Sequence, residues 1–205
     1  MALTTSGCVF QLFLNGKQIK TLVGSARVHG RQDSGCVTTD RSSRYTAKFL
    51  VPYAAGDLTA KSFVGGVEQA NRTFSTAGPA TALRLVADRS TISASRADLS
   101  YVVAEVVDSH GVVVACADEH SGSSCSPPVV SFTVSGAGEL AAVGSGDPID
   151  PSSFSGPARK TYRGRATAIV RPAGTSAGVA PSAGAITVTA SVEGLAKATA
   201  TITTQ

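Results

Sequence analysis

The sequence has no tryptophan, one methionine and three histidines, and aromatic residues make up 5% of its 205 residues. So few aromatic rings argue against an extended platform on which sugars or nucleobases could stack. The four cysteines, at positions 8, 36, 116 and 125, show no metal-ligand spacing and have no histidine at a useful offset. The composition therefore predicts neither a metal site nor a cofactor site.

Long apolar runs and dense basic clusters are also missing. No run approaches the roughly 20 apolar residues that a membrane-spanning helix needs, so we expect no membrane span. The net charge is +4, but the only loose basic group comprises Arg159, Lys160, Arg163 and Arg165. A nucleic-acid surface would cluster such residues and interleave aromatics. We therefore interpret the group as a solvated face and expect no nucleic-acid partner.

What the chain does contain is a series of short β-branched runs, with no helical periodicity. Leu99–Asp108 is long enough to cross a β-sandwich once, and Val112–Ala115 sends the chain back. Between them we expect the Asp108 side chain to cap a turn and Gly111 to take a positive φ. Val129–Val134 alternates apolar and polar residues, which predicts a further strand.

Turn residues punctuate the rest of the chain in the same way. Asn15-Gly16 separates two apolar runs and predicts a type I′ hairpin, because both residues tolerate positive φ. Residues 58–74 predict a second hairpin, and alternation over residues 45–51 predicts a strand that ends at Pro52. The Gly-Pro pair at 78–79 predicts a domain boundary. Further strands are expected within residues 83–87, 91–95, 140–143, 162–170, 186–190 and 195–202. This pattern is typical of two all-β sandwiches, residues 1–77 and 78–205.

Chemistry-bearing side chains do not converge in this pattern. We interpret the glutamates as solvated carboxylates in turns or on the polar side of strands, and they are Glu68, Glu105, Glu119, Glu139 and Glu193. Asp147 and Asp150 flank Pro148 in a glycine-rich loop, where a calcium or sugar contact is the alternative to a solvated turn. The sequence therefore assigns no catalytic, cofactor-binding or metal-binding residue.

The remaining polar candidates are weaker still. The histidines all fall in predicted loops, and they are His29, His110 and His120. His120 is adjacent to Asp118 and Glu119, but neighbouring side chains on an extended chain point in different directions. Cys116 and Cys125 either close a short loop as a disulfide or remain thiols. Asn71-Arg72-Thr73 is a glycosylation sequon, relevant only on a secretory route.

Several segments, in order, resemble the C-terminal accessory region of β-galactosidases of glycoside hydrolase family 2. Gln11–Lys17 is similar to an "ELFLNGK" hairpin, and Val51–Ala60 to a "VPYxPGxLxA" segment. The segments that resemble the family's last domain are residues 76–80, 83–88, 99–111, 132–136, 146–148 and 164–170. The sequence departs from the family at Ser145-Gly146, where an Asn-Gly pair usually precedes Asp-Pro.

The resemblance implies two immunoglobulin-like domains that pack beside a catalytic barrel or a second subunit. The parent reaction would be retaining hydrolysis of β-galactosides, carried by glutamates of that barrel. We expect the chain to begin inside the first accessory domain, so that residues 1–77 form an incomplete sandwich with an exposed edge. The function expected is that of a non-catalytic fragment of such a hydrolase.

The rival hypothesis is a free-standing carbohydrate-binding or adhesion module of immunoglobulin-like fold. Such a module would need exposed aromatic rings beside paired polar groups. The only candidates by sequence are Tyr101, Tyr162 and Phe154, and we expect Tyr101 to lie in the core.

Overall fold

A computed structural model describes residues 7–25, 47–115, 126–174 and 183–205. The chain divides into two units, Met1–Thr76 and Ala77–Gln205. The regular elements of the described residues are all β-strands, which confirms the predicted all-β class. No helix in these ranges is long and apolar enough to cross a membrane.

The described part of unit 1 is a four-stranded antiparallel sheet with the strand order β2-β1-β3-β4. Its strands are β1 (Gly7–Leu14), β2 (Lys17–Ser25), β3 (Asp57–Val64) and β4 (Val67–Ser75). Both predicted hairpins are present. Asn15 and Gly16 have φ of 50° and 77°, which are the left-handed values that a type I′ turn requires. Gly65 and Gly66 turn the second hairpin with φ of 58° and 83°.

Residues 47–51 keep the predicted alternation but form no strand, so that prediction is wrong in the described part of the segment. Phe49 is half-buried, whereas the side chain of Leu50 is 94% exposed. The chain then enters Pro52, which has no N–H for a strand ladder. Further along, Ala55 and Asp57 bond to the side chain of Asn15, and β3 begins at Asp57.

Unit 2 is a sandwich of two sheets. Its strands are β5 (Ala82–Ala87), β6 (Thr91–Ile92), β7 (Ser100–Val107), β8 (Val129–Gly136), β9 (Gly138–Gly144), β10 (Ala158–Lys160), β11 (Arg165–Pro172), β12 (Gly184–Ser191) and β13 (Ala198–Thr204). One sheet has the order β10-β8-β12-β13-β6, and the other has the order β5-β7-β11-β9. Strand β6 runs parallel to β13, and the other pairs are antiparallel.

The core of unit 2 lies between these two sheets. Phe132 and Ile186 come from the first sheet, and Val102 and Val170 from the second, and all four are buried in one cluster. Their spacing follows from strand geometry, since every second residue points inward. Full burial of each such side chain contributes about 1.5–3 kcal/mol. Gly138 belongs to this packing, because a methyl group on its Cα would lie only 2.5 Å from Cγ2 of Ile186.

The turn after β7 has the predicted chemistry. Oδ1 of Asp108 accepts hydrogen bonds from the N–H groups of His110 and Val112, both at 2.9 Å. Gly111 has a φ of 77°, as expected. Val112–Ala115 does not form the predicted strand. Its Val113 forms an isolated β-bridge with Val107. The capped turn therefore fixes the end of β7 without a long second strand.

The sequence predicts a strand within residues 162–170, but a tight turn interrupts the start of this segment. Tyr162 and Arg165 exchange two backbone hydrogen bonds, of 2.8 and 3.0 Å, around Arg163 and Gly164. Both central residues have positive φ, 51° and 76°. A Cβ atom on Gly164 would lie 2.4 Å from the carbonyl oxygen of Val114, so close packing also restricts this position to glycine.

Candidate functional site

Glu105 is buried between two arginines, which corrects the prediction of a solvated carboxylate. It lies on β7 in register with Arg84 on β5 and Arg165 on β11. Its Oε2 accepts from Nη2 and Nε of Arg84 at 2.6 and 2.8 Å, and its Oε1 accepts from Nε of Arg165 at 2.9 Å. The residue is only 9% exposed. Glu105 therefore ties three neighbouring strands together.

Two further glutamates are also ion-paired. Oε1 of Glu139 accepts from Arg171 at 2.7 Å and from Arg96 at 2.9 Å. On the surface of unit 1, Lys61 donates to Oε2 of Glu68 at 2.9 Å. The two remaining glutamates differ in status: Glu193 is exposed, as predicted, and Glu119 lies outside the described residues.

These ion pairs lower the pKa values of the glutamates involved. Burial raises the pKa of Glu105, but hydrogen bonds from Arg84 and Arg165 outweigh it, so that the pKa is lowered overall. A hydrogen bond from Arg171 lowers the pKa of Glu139, and one from Lys61 lowers that of Glu68. A general acid must hold its proton near neutral pH, which requires a raised pKa. These carboxylates are therefore suited to holding arginine and lysine side chains, not to donating protons.

Arg159 is also buried, so its assignment to a solvated face is wrong. Its Nη2 lies 3.1 Å from Oδ2 of Asp150, and its Nη1 donates to the carbonyl oxygen of Ser152 at 2.8 Å. Its guanidinium carbon lies 4.9 Å from the ring centroid of Phe154. A second cation at Asp150 would meet the repulsion of this guanidinium. Asp147 accepts a backbone hydrogen bond two residues on, at 3.1 Å, as a turn residue does.

No group of three or more His, Cys, Asp or Glu side chains is arranged to hold a metal ion within the described ranges. His110 is exposed in its turn, as expected. Cys8 is buried and disulfide-bonded. Asn71 of the sequon is exposed on β4. The other residues considered from sequence lie outside the described part of the chain, and they are His29, Cys36, Cys116, Asp118, His120 and Cys125.

The three aromatic candidates of unit 2 have different surroundings. Tyr101 is 44% exposed, so its predicted place in the core is wrong. Tyr162 is half-buried, and the guanidinium of Arg163 lies 5.3 Å from its ring centroid. Phe154 is exposed, but Arg159 already faces its ring. Tyr162 and Phe154 are thus engaged in cation–π contacts.

A pocket of about 450 Å³ lies in unit 1, and we call it the unit 1 pocket. This volume is within the range of small-ligand sites. Its lining is formed by Leu14, Ile19, Val51, Pro52, Tyr53, Ala54, Gly56, Leu58, Phe74, Ser75 and Thr76. Tyr53 and Phe74 are 83% and 65% exposed. The pocket thus combines an apolar floor with two aromatic rings open to solvent.

The side chain of Asn15 holds one wall of the unit 1 pocket. Its Oδ1 accepts from the N–H of Asp57 at 2.8 Å, and its Nδ2 donates to the carbonyl oxygen of Ala55 at 3.4 Å. Gly56 bonds to Thr76 through its N–H, at 3.1 Å to Oγ1, and through its carbonyl oxygen, at 2.9 Å from the Thr76 N–H. These bonds fix the 55–57 loop between the first hairpin and the end of β4.

The sequence does not predict this pocket, which is lined by the first hairpin, residues 51–58 and the end of β4. The Asn15 hairpin and the Val51–Ala60 segment carried the family resemblance, but the sequence did not reveal that they touch. From the sequence, Asn15 is predicted only as a residue of the hairpin turn. A signal was present in two aromatic residues of these segments, since Tyr53 follows Pro52 at the end of a predicted strand and Phe74 follows a polar stretch.

Fold and side chains together define an all-β protein built of sandwich-type domains, in which the ion-paired glutamates join neighbouring strands. Comparison with known proteins identifies a family within this class. Residues 83–201 match the family model described as glycoside hydrolase family 2 C-terminal domain 5. The chain therefore belongs to this family, which confirms the resemblance seen in the sequence.

Individual relatives match nearly the whole chain. It is 28% identical over 188 residues to the beta-galactosidase BoGH2A of Bacteroides ovatus, covering 92% of this chain and 18% of that protein. A glycosyl hydrolase family 2 member from Bacteroides cellulosilyticus superposes with a TM-score of 0.74 at 31% identity, covering 96% of this chain and 21% of that one. A second structure from the same species gives a TM-score of 0.73 at 29% identity, covering 97% and 24%. The chain thus spans about a fifth of the length of these relatives, and corresponds to a C-terminal region of larger glycosidases.

Proposed function

We propose that this chain acts as a non-catalytic accessory part of a β-galactosidase-like glycosidase. In this proposal residues 1–77 form one immunoglobulin-like accessory domain, and residues 78–205 form the C-terminal sandwich. The partner is a catalytic barrel, and that barrel carries out the hydrolysis of the β-galactoside. Two observations carry the proposal: almost the whole chain matches about a fifth of the length of larger glycosidases, and residues 83–201 match the family's C-terminal domain 5.

The carboxylates of the chain support the same proposal. Retaining hydrolysis needs two carboxyl groups about 5–5.5 Å apart, one of which keeps a proton at working pH. The described carboxylates with a resolved shift all have lowered pKa values, and they are Glu68, Asp98, Glu105, Asp108, Glu139 and Asp150. None of these six is suited to the role of the protonated acid.

A hydrolysis assay tests the non-catalytic part of the proposal. The purified chain is incubated with p-nitrophenyl β-galactoside, and its fold is checked in the same buffer by circular dichroism and a thermal melt. We expect folded protein and a release of nitrophenol no faster than in buffer alone. Hydrolysis that rises in proportion to the concentration of folded chain contradicts the proposal.

The accessory part of the proposal is tested separately, from the genomic DNA directly upstream of the Met1 codon. We expect an open reading frame there that encodes a family 2 catalytic barrel, either continuous with this chain or as a neighbouring gene. Upstream DNA without barrel-coding sequence would remove the proposed partner, even if the assay found no hydrolysis.

A further inference from the structure

We propose that the unit 1 pocket binds one uncharged pyranose ring of a glycoside, with Tyr53 and Phe74 as its stacking surfaces. This goes beyond the proposed function, which assigns no ligand to the chain. A pyranose has an apolar face of C–H groups and a rim of hydroxyls. It therefore suits a site that offers aromatic rings beside a few polar atoms.

The first support is the exposure of the two rings. Tyr53 is 83% exposed and Phe74 is 65% exposed, although each borders a concave apolar surface formed by side chains such as Leu14 and Leu58. Large apolar surface left in water is unfavourable, and covering it is a main source of binding free energy. A pyranose whose C–H face lies against these rings would cover aromatic surface that the described fold leaves open.

The second support is the preformed wall. The bonds from Asn15 to the 55–57 loop, and from Gly56 to Thr76, hold the wall in place before any ligand arrives. A preformed site spends less binding free energy on ordering its own loops. Tyr53, Ser75 and Thr76 are the lining residues that carry hydroxyl groups, and the Thr76 hydroxyl also accepts a hydrogen bond from the N–H of Gly56.

The third support is the charge of the site. All the lining residues are uncharged. An ionised sugar such as a glucuronide would lose hydration there without gaining a paired charge from the lining, which is costly. Of the charged residues outside the lining, Arg72 has its guanidinium 5.8 Å from the ring centroid of Phe74, and Asp57 stands in the sequence between the lining residues Gly56 and Leu58. We therefore expect a neutral glycoside to bind more tightly than an anionic one.

An apolar side chain from another protein is the other kind of occupant that such a pocket attracts. Two observations favour the sugar: the exposed walls are two aromatic rings, and the relatives that match the chain are glycosidases. The low aromatic content of the sequence fits a single-ring site better than an extended platform, since only two rings are needed.

The test is a titration of the full ¹⁵N-labelled chain, followed by its amide signals. The probes are methyl β-galactopyranoside, methyl β-glucopyranoside and the sodium salt of methyl β-glucuronide. We expect saturable shifts for the neutral sugars, in the millimolar range of dissociation constants, centred on residues 51–58 and 74–76. Tyr53→Ala and Phe74→Ala should each weaken binding about threefold to tenfold, as expected for one lost stacking ring.

The matched control is Tyr101→Ala, which removes an exposed tyrosine from unit 2. This variant should bind as the wild type does, and the spectra of all three variants report whether they remain folded. Shifts that do not saturate, equal weakening by Tyr101→Ala, or tighter binding of the glucuronide each overturn the proposal. The proposal is also overturned if the unit 1 pocket binds none of the sugars and a protein partner covers it instead. None of these outcomes bears on the hydrolysis assay.

Discussion

Glu105→Gln tests whether the buried carboxylate of Glu105 stabilises unit 2, as a solvated carboxylate would not. The amide has the shape of the carboxylate but carries no charge. Its oxygen can accept from one arginine, whereas its NH₂ group is a donor facing the other. Arg84 donates two hydrogen bonds to Glu105 in the wild type and Arg165 donates one, so the variant must lose the bonding to one of the two arginines.

The structure sets the size of the expected effect. Only 12% of the Glu105 side-chain surface is exposed, whereas the two arginines are 47% and 49% exposed. A hydrogen bond to a charged group contributes about 1.5–3 kcal/mol, and partial exposure of the arginines reduces this by screening. We expect the substitution to lower the free energy of unfolding of unit 2 by about 1–2 kcal/mol.

The assay is a urea titration of the full chain, followed by amide signals of residues 77–205 at several pH values. The pKa of Glu105 in the folded state lies below its ordinary value of 4.5. Its contribution to stability is therefore fully present above about pH 4.5 and is lost as the pH falls through the folded-state pKa. The difference between wild type and variant should be constant near neutral pH and shrink in acid.

Glu139→Gln is the matched control. Glu139 also contacts two arginines, but its side chain is 35% exposed, and pairs of that kind contribute about 0–1 kcal/mol. The reasoning fails if Glu105→Gln and Glu139→Gln cost the same at pH 7. It also fails if the cost of Glu105→Gln does not begin to shrink as the pH falls below 4.5, where the carboxylate of the unfolded chain takes up its proton.

Two other substitutions test the packing of unit 2 with the same titration. Phe132→Ala empties a fully buried site and should cost about 3–5 kcal/mol, whereas Val129→Ala, at a residue 53% exposed, should change stability by less than about 0.5 kcal/mol. Equal costs would contradict the position of the core. Gly138→Ala brings a methyl group to within 2.5 Å of Ile186 and should cost about 1–3 kcal/mol, whereas Gly156→Ala meets no atom closer than 4.0 Å. A Gly138→Ala variant as stable as Gly156→Ala would refute the close approach of β9 to β12.

Turns were predictable because their chemistry is local. Asn15-Gly16 requires positive φ at both positions, and Oδ1 of Asp108 finds its two hydrogen-bond donors within four residues. Alternation also predicted which side of β8 faces the core, since Val130 and Phe132 are buried whereas Ser131 and Thr133 are exposed. These features depend on neighbours in sequence, which pattern reasoning can read directly.

Burial of charge was not predictable, because it depends on residues far apart in sequence. Glu105 and Arg165 are 60 residues apart, and only the pairing of β7 with β11 brings them together. Arg159 is buried because the loop before it wraps its side chain with Asp150 and Ser152. A sequence pattern assigns a lone charged residue to solvent, and only tertiary contacts reverse that assignment.

The unit 1 pocket explains why two separated segments of this chain carry the residues they do. Asn15 must tolerate positive φ and also present an amide to the 55–57 loop, and few side chains other than asparagine do both. Gly56 has a φ of 127°, and a Cβ atom there would lie 2.0 Å from Oδ1 of Asn15. Each residue is thus constrained by the other across some 40 positions of chain. The first hairpin and the 55–57 loop, which lie in the two unit 1 segments that resemble the family, therefore meet at a contact that shapes the unit 1 pocket.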